Sequence, residues 1–381
     1  MKLKTVLSAA VVAACCTGCY RTKLALVDAS VQKPSNVALY FSIRDREGAP
    51  VSGLKASDFE IYEDSKLIST FESKQTILNP KVATIRYTLL LLDMSGSIIE
   101  SGQAPLIQEA VGEFLSGMGT DDPVAIYAFD GREDIVPVAE FGVSEAARSK
   151  RIFNIGSFWN EDPSTNLNGA IVKAVDVIEQ AEEASDVPLR FGTLVIFTDG
   201  TDRAHRATSK EARRALLRSK VDSYVIGLGG EVDEKEMRYL STSGVVQIAA
   251  KDDVVSAFRD MGQKLRAQGT MYYLLSYCSP SRAGRHKITV RTTVGKDKGR
   301  LNYAFAAEGF EPNCDPYTTP GFAPMEEAER QEKARRRRLD KGEKNKDGIR
   351  QVYDDESPFT ESSDSGSASP KQKSSPPPPS Y

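Results

Sequence analysis

Between residues 80 and 269 the hydrophobic positions fall into two patterns that take turns along the chain. Residues 89–92, 124–129, 194–197, 224–227 and 245–249 are short apolar runs without polar alternation. Runs of that length suit strands buried on both faces, as in the middle of a parallel sheet. Between them lie stripes at helical spacing: Leu106, Ile107, Ala110, Val111, Phe114, Leu115 and Met118, then Leu167, Ile171, Ala174, Val175 and Ile178. Further helices are expected over 144–154, 210–220, 234–240 and 252–268, and a short antiparallel edge over 135–141. Strands alternating with helices predict an α/β, doubly wound, Rossmann-like domain with a mostly parallel sheet and right-handed crossovers.

The flanks read differently. Residues 37–43 are rich in strand formers, and 45–50 are turn-rich. Residues 59–63 alternate apolar with polar, Asp64-Ser65 reads as a hairpin turn, and 67–71 follow. A module over 31–79 has fewer than ~60 residues, marginal for a core of its own. Residues 271–277, 287–291 and 301–305 have the same β composition. They predict that a segment over 270–318 completes the module as a small β-sandwich, with the 80–269 domain inserted in it or flanked by it. From 319 to 381 the chain is charged, with Arg335-Arg336-Arg337-Arg338, and then rich in Ser and Pro. Such a tail cannot bury a core and reads as a disordered tether.

The net charge of -3 argues against a nucleic-acid or other polyanion partner. Two histidines, His205 and His286, leave little material for a zinc site or histidine-based catalysis. Ser95 has no activating base near it in sequence, and the expectation is a protein that is not an enzyme. Met1-Lys2-Leu3-Lys4 is a basic head, and 5–14 an apolar stretch too short to span a bilayer. This is an export signal, taken as residues 1–18, with 19–30 as a linker. Cys278 and Cys314 are then an even pair in an oxidising compartment, and a disulfide between them would be worth ~3 kcal/mol by loop entropy.

The first long apolar run ends in Asp93-Met94-Ser95-Gly96-Ser97, a carboxylate and two hydroxyls at alternate positions on a turn that Gly96 lets fold tightly. Oxygen donors beyond a strand's C-terminal end suit a small divalent cation. Asp199 closes the run 194–197 in the same manner, and Thr165 heads a helix on a loop able to reach the same crevice. Trp159 on that loop is either a partner anchor or packing beneath it. Asp130, Asp162 and Asp202 are either groups that support such a site from just outside it or, by default, solvated loop charges, and His205 reads as a surface residue.

Two resemblances sharpen this reading. Cys15-Cys16-Thr17-Gly18-Cys19 resembles the lipobox of bacterial lipoproteins, whose cysteine is acylated after cleavage. Cys19 is the preferred site, with Cys15 as the alternative register. Tyr20 after Cys19 implies outer-membrane sorting in the cell envelope, the lipid providing the membrane contact. Asp93, Ser95, Ser97, Thr165 and Asp199 together resemble the metal-ion-dependent adhesion site of von Willebrand factor A domains. Gly48 to Leu54 with Asp58-Phe59 resembles the β-module that precedes such domains in some bacterial proteins. The resemblance implies Mg²⁺, or Mn²⁺ or Ca²⁺, at these five residues, with Asp199 acting through water. It further implies a coordination position open to an acidic side chain of a partner protein. The competing expectation is a scaffold or accessory subunit of an envelope complex that binds without metal through another face.

Overall fold

The structure, a computed structural model, describes residues 20–118, 122–141, 158, 160–229 and 233–322. Cys15, Cys19, Trp159, the helix expected over 144–154, and the tail beyond 322 with its arginine run lie outside the described residues.

In chain order the first strands are β1 (Tyr20–Gln32), β2 (Asn36–Arg44), β3 (Phe59–Glu63), β4 (Lys66–Leu67) and β5 (Thr76–Leu78). An α/β segment follows: β6 (Thr84–Asp93), α1 (Gly96–Glu100), α2 (Ala104–Met118), β7 (Val124–Phe129), β8 (Val136–Ala139) and α3 (Leu167–Glu183). It continues through β9 (Leu189–Thr198), α4 (Ser209–Ser219), β10 (Asp222–Leu228), α5 (Glu234–Leu240), β11 (Gly244–Ile248) and α6 (Val254–Gly269). Then come β12 (Tyr272–Cys278), β13 (Arg285–Val294) and β14 (Asp297–Ala306).

The α/β segment forms a six-stranded sheet in the order β11-β10-β9-β6-β7-β8. Every pairing is parallel except β7 with the edge strand β8. Because successive side chains on a strand point to opposite faces, Leu90 and Leu92 join α2 and α6 on one side. Leu89 and Leu91 join α3 and α4 on the other. Helices α2 and α6 approach backbone to backbone at Gly117 and Gly262. A Cβ on Gly262 would stand 2.4 Å from the Phe114 carbonyl oxygen, and one on Gly117 2.9 Å from that of Arg259.

The flanking strands make one eight-stranded sheet, β4-β3-β13-β14-β1-β2-β12-β5. Five places separate β3 from β12, roughly 24 Å in a flat sheet at ~4.8 Å per strand. Yet the Phe59 ring on β3 lies 5.7 Å from that of Tyr273 on β12, and 5.8 Å from that of Phe41 on β2. The sheet therefore coils until its own face closes around Phe41, Phe59, Tyr273, Leu275 and Ile288. The layers of the small β-module are thus supplied by a single sheet folded over itself. Strands from both flanks of the α/β segment interleave in it, and Cys278 and Cys314 form a disulfide with Cα atoms 5.7 Å apart. The Asp64-Ser65 turn has φ of 49° and 71°, the left-handed pair that a two-residue hairpin loop requires.

Two boundaries are corrected. Residues 20–30, expected as linker, belong to β1, which pairs with β2 on one side and β14 on the other. The fold continues past 318 as far as Phe322, which is 7% exposed and packs with Tyr40 and Leu274.

That last cluster joins the two sheets. Ala83 and Leu189, at the N-terminal ends of β6 and β9, pack with Tyr40, Leu78 and Leu274. The Arg86 guanidinium lies 5.4 Å from the Phe191 ring centre and 5.5 Å from that of Tyr272. The coiled sheet thus covers the N-terminal ends of the parallel strands, leaving the opposite end, where Asp93 sits, to the loops.

Candidate metal centre

Asp93 is the last residue of β6 and has no exposed surface. The chain turns at once: the Met94 N–H donates to the Phe129 carbonyl at 2.8 Å, and the Ser95 N–H to Asp93 Oδ1 at 3.0 Å. Ser95 then stands as N-cap of α1, in extended conformation. The Gly96 N–H donates to the Pro163 carbonyl at 2.9 Å, and a Cβ there would come within 3.0 Å of the proline ring. A side chain there would push the segment carrying Thr165 back by a few tenths of an ångström.

A chain of side-chain contacts runs out from this turn. Ser95 Oγ is 3.3 Å from Ser97 Oγ, and Ser97 Oγ donates to Asp199 Oδ1 at 3.0 Å. Thr198 Oγ1 donates to Asp93 Oδ2 at 2.6 Å. Asp93, Ser95, Ser97 and Asp199 are therefore brought into one connected group. Thr165, 5% exposed, is tied to it through backbone. Its carbonyl accepts the Arg203 and Ala204 N–H groups at 2.8 and 3.0 Å, four and five residues beyond Asp199, while Pro163 holds Gly96. Ser97 is exposed and Asp199 half-buried, so the group opens to solvent on that side.

Of the three loop carboxylates, Asp130 and Asp202 are turned inward, while Asp162 keeps a third of its side chain exposed. Asp130 has no exposed surface. It takes both Nε and an Nη of Arg132 at 2.9 Å and the Glu161 N–H at 3.1 Å. Burial works against its charge, but the hydrogen bonds from Arg132 and Glu161 outweigh it and hold the carboxyl below the usual range. Asp162 accepts from both the N–H and the hydroxyl of Ser164, at 3.0 and 2.7 Å. Asp202 accepts the Asn168 and His205 N–H groups, each at 3.0 Å. These residues brace the loops that carry Thr165 and Asp199. His205 is a surface residue, its side chain 82% exposed.

Asp93 differs from them. Among the described residues no Lys, Arg or His forms an ion pair with it. Burial pushes its carboxyl up to about 6, and the nearby Asp199 charge adds to the rise. Hydrogen bonds from Thr198 and Ser95 pull the other way. A buried carboxylate without a counter-charge is costly, and the cost disappears if a proton or a cation takes the place of the missing base. The donors around it are two carboxylates and aliphatic hydroxyls, an all-oxygen set that fits Mg²⁺, Mn²⁺ or Ca²⁺. Among the described residues, no three or more His, Cys, Asp or Glu side chains gather as a metal-holding group. Any cation here would depend on the hydroxyls.

Thr198 is the member of this group that sequence reasoning missed. Its signal was its place beside Asp199: parallel strands ending together put the last residue of β9 next to the last of β6.

No protein-family model and no curated protein matches the sequence. Solved structures with a similar course of chain include a von Willebrand factor type A structure from Catenulispora acidiphila. It is 12% identical with a TM-score of 0.43, over 74% of this chain and 71% of that one. Proximal thread matrix protein 1 from the mussel byssus is 14% identical with a TM-score of 0.41, over 48% of this chain and 49% of its own. The same mussel protein with a zinc-occupied MIDAS motif matches at 14% identity and a TM-score of 0.37, over 54% of this chain and 49% of that one. This chain thus spans about half the length of the mussel protein. Likenesses this distant assign no role to individual residues here, which rest on the geometry above.

Proposed function

We propose that this chain is a von Willebrand factor A-type binding protein that holds a divalent cation at Asp93, Ser95, Ser97, Thr165 and Asp199. The cation presents an open position to an acidic side chain of a partner protein. The observation that carries this reading is Asp93: fully buried, without a basic partner among the described residues, and linked through hydroxyls to a second carboxylate at an open strand end. The bound cation would supply positive charge and a coordination position. Asp93 would bring the negative charge, and Ser95, Ser97 and Thr165 neutral oxygens that leave the ion electrophilic toward a carboxylate. Asp199, held by Ser97, would act through water.

The role is binding rather than catalysis. Ser95 Oγ meets another serine, and the two histidines are engaged elsewhere, at Asp202 and at Asp64. Export and acylation at Cys19, or at Cys15 in the alternative register, would anchor the chain in the cell envelope, at the outer membrane. Several acyl chains at ~0.8 kcal/mol per buried methylene make such an anchor stable.

The experiment is partner capture by cross-linking in intact cells, repeated with a chelator and with Thr165→Ala. Capture lost under both conditions supports a metal-mediated partner. Capture unchanged under both would favour the metal-independent scaffold.

A further inference from the structure

Strands β6 and β9 run parallel in register, with Leu92 opposite Phe197. The next pair along is Asp93 and Thr198, whose side chains share one face of the sheet because alternation has reached the same phase in both strands. Asp199, one step further, is released from that phase and meets Ser97 instead. The register thus makes Thr198 the obligatory neighbour of Asp93.

Thr198 has no exposed surface, and its hydroxyl has three polar neighbours: Asp93 Oδ2 at 2.6 Å, the Gly200 carbonyl at 3.1 Å and the Gly200 N–H at 3.2 Å. The Gly200 N–H occupies an acceptor site of the oxygen. The single hydroxyl proton goes to the closer, charged acceptor, where a short charge-assisted bond is strongest. Elsewhere on the same two strands the chain tolerates buried threonine hydroxyls with nothing to bind: those of Thr88 and Thr193 have no hydrogen-bond partner among the described residues. A hydroxyl placed on Asp93 is therefore not a general feature of this sheet.

We infer that Thr198 is a positioning residue for the cation site proposed above. Its hydroxyl fixes the Asp93 carboxylate and ties it to the turn that carries Asp199. With Oδ1 held by the Ser95 N–H and Oδ2 by Thr198, the carboxylate cannot rotate, and its charge stays where the hydroxyls of Ser95 and Ser97 converge. Residues that orient a metal ligand in this way are typically worth about tenfold to a hundredfold in metal affinity.

The test is Mg²⁺ titration of the full chain by calorimetry, in wild type, Thr198→Val and Thr198→Ser, with metal-free melting temperatures measured alongside. Valine keeps the shape and removes the hydroxyl; serine restores it. The expected result is Mg²⁺ affinity lowered about tenfold or more by valine and recovered by serine. Should valine prevent folding, Thr198→Ala takes its place in the same comparison. Wild-type Mg²⁺ binding with affinity unchanged in Thr198→Val, even with a lowered melting temperature, would make Thr198 a packing residue only and overturn the inference. No Mg²⁺ binding by the wild type would instead overturn the cation site itself, and this assignment with it.

Discussion

Ser97 donates a hydrogen bond to Oδ1 of Asp199 at 3.0 Å across 102 positions of sequence. One residue lies in α1, the short helix after β6, the other in the loop after β9, and these are neighbouring parallel strands near the centre of the sheet. The contact closes a path from Asp199 through two serines to the buried Asp93, so a change at any member should be felt at the others.

Asp93 itself should weigh against the metal-free fold. Its carboxyl is raised to about 6 by burial, so the folded state holds the proton more tightly than the unfolded chain does. Stability of the metal-free protein should then fall as pH rises from about 4 to about 6. The effect should reach the order of 3 kcal/mol near neutrality. Asp93→Asn removes the charge, and the Thr198 hydroxyl can turn to the Gly200 carbonyl, 3.1 Å away. Thermal melting near pH 7 should show the metal-free variant equal to or a few degrees above the wild type, with no response to Mg²⁺. A large loss of stability in the metal-free variant would contradict this.

His286, on β13 of the coiled sheet, gives a pH dependence of the same sense over a higher pH window. Its Nδ1 lies 2.7 Å from Asp64 Oδ2 and its Nε2 2.8 Å from the Ala283 carbonyl; both partners are acceptors, so the protonated ring satisfies both and the neutral ring only one. The Ala283 carbonyl and Asp64 accordingly raise its pKa, with Glu63 3.9 Å away adding to the field. Stabilisation from a raised pKa is complete below the ordinary value of about 6.5 and fades as pH climbs through the folded value. The melting temperature of the wild type should decline as pH rises above that ordinary value. His286→Gln should flatten the decline.

The disulfide closes a loop of 36 residues between the end of β12 and the segment after β14. At this separation loop entropy puts its contribution at about 4 kcal/mol, somewhat above the ~3 kcal/mol expected from the sequence. Cys278→Ser with Cys314→Ser should lower the denaturant midpoint accordingly while leaving Mg²⁺ affinity intact, because the bond lies in the coiled sheet. A large loss of Mg²⁺ binding would mean the two sheets are more strongly coupled than the packing at Arg86 suggests.

Gly262→Ala tests the closest helix contact. Its added methyl would meet the Phe114 backbone carbonyl at 2.4 Å, which no rotamer change can relieve. Overpacking of this kind costs about 1–3 kcal/mol, read as a lower urea midpoint.

What could be read in the chain beforehand, and what could not, divides along physical lines. The run 89–92 announced a doubly buried strand because both faces of β6 are covered by helices. The strand nevertheless starts at Thr84, and β9 at Leu189 rather than 194. Arg86 and Phe191 take strand conformation against Tyr272 of the other sheet, a partner no local pattern announces. β1 escaped notice because a bulge between Leu26 and Asp28 shifts its apolar alternation from Leu24 and Leu26 to Ala29 and Val31, and β14, which pairs with it, comes over 260 residues later in sequence. Four of the five proposed cation residues, Asp93, Ser95, Ser97 and Asp199, form one hydrogen-bonded path. The inward turn of Asp130 was hidden because its burial depends on loop 160–166 folding over it. The role of Thr198 depended on the register of β9 against β6, which only the assembled sheet fixes.

The central claim is that oxygen-bearing side chains from three loops hold one divalent cation. Its most direct measurement is the melting temperature of the full chain in Mg²⁺ and in EDTA, for wild type and Asp93→Ala. A wild-type protein that melts several degrees higher with Mg²⁺, beside an Asp93→Ala variant that does not respond, is the predicted result. No Mg²⁺-dependent shift in the wild type, or an equal shift in both proteins, would contradict it.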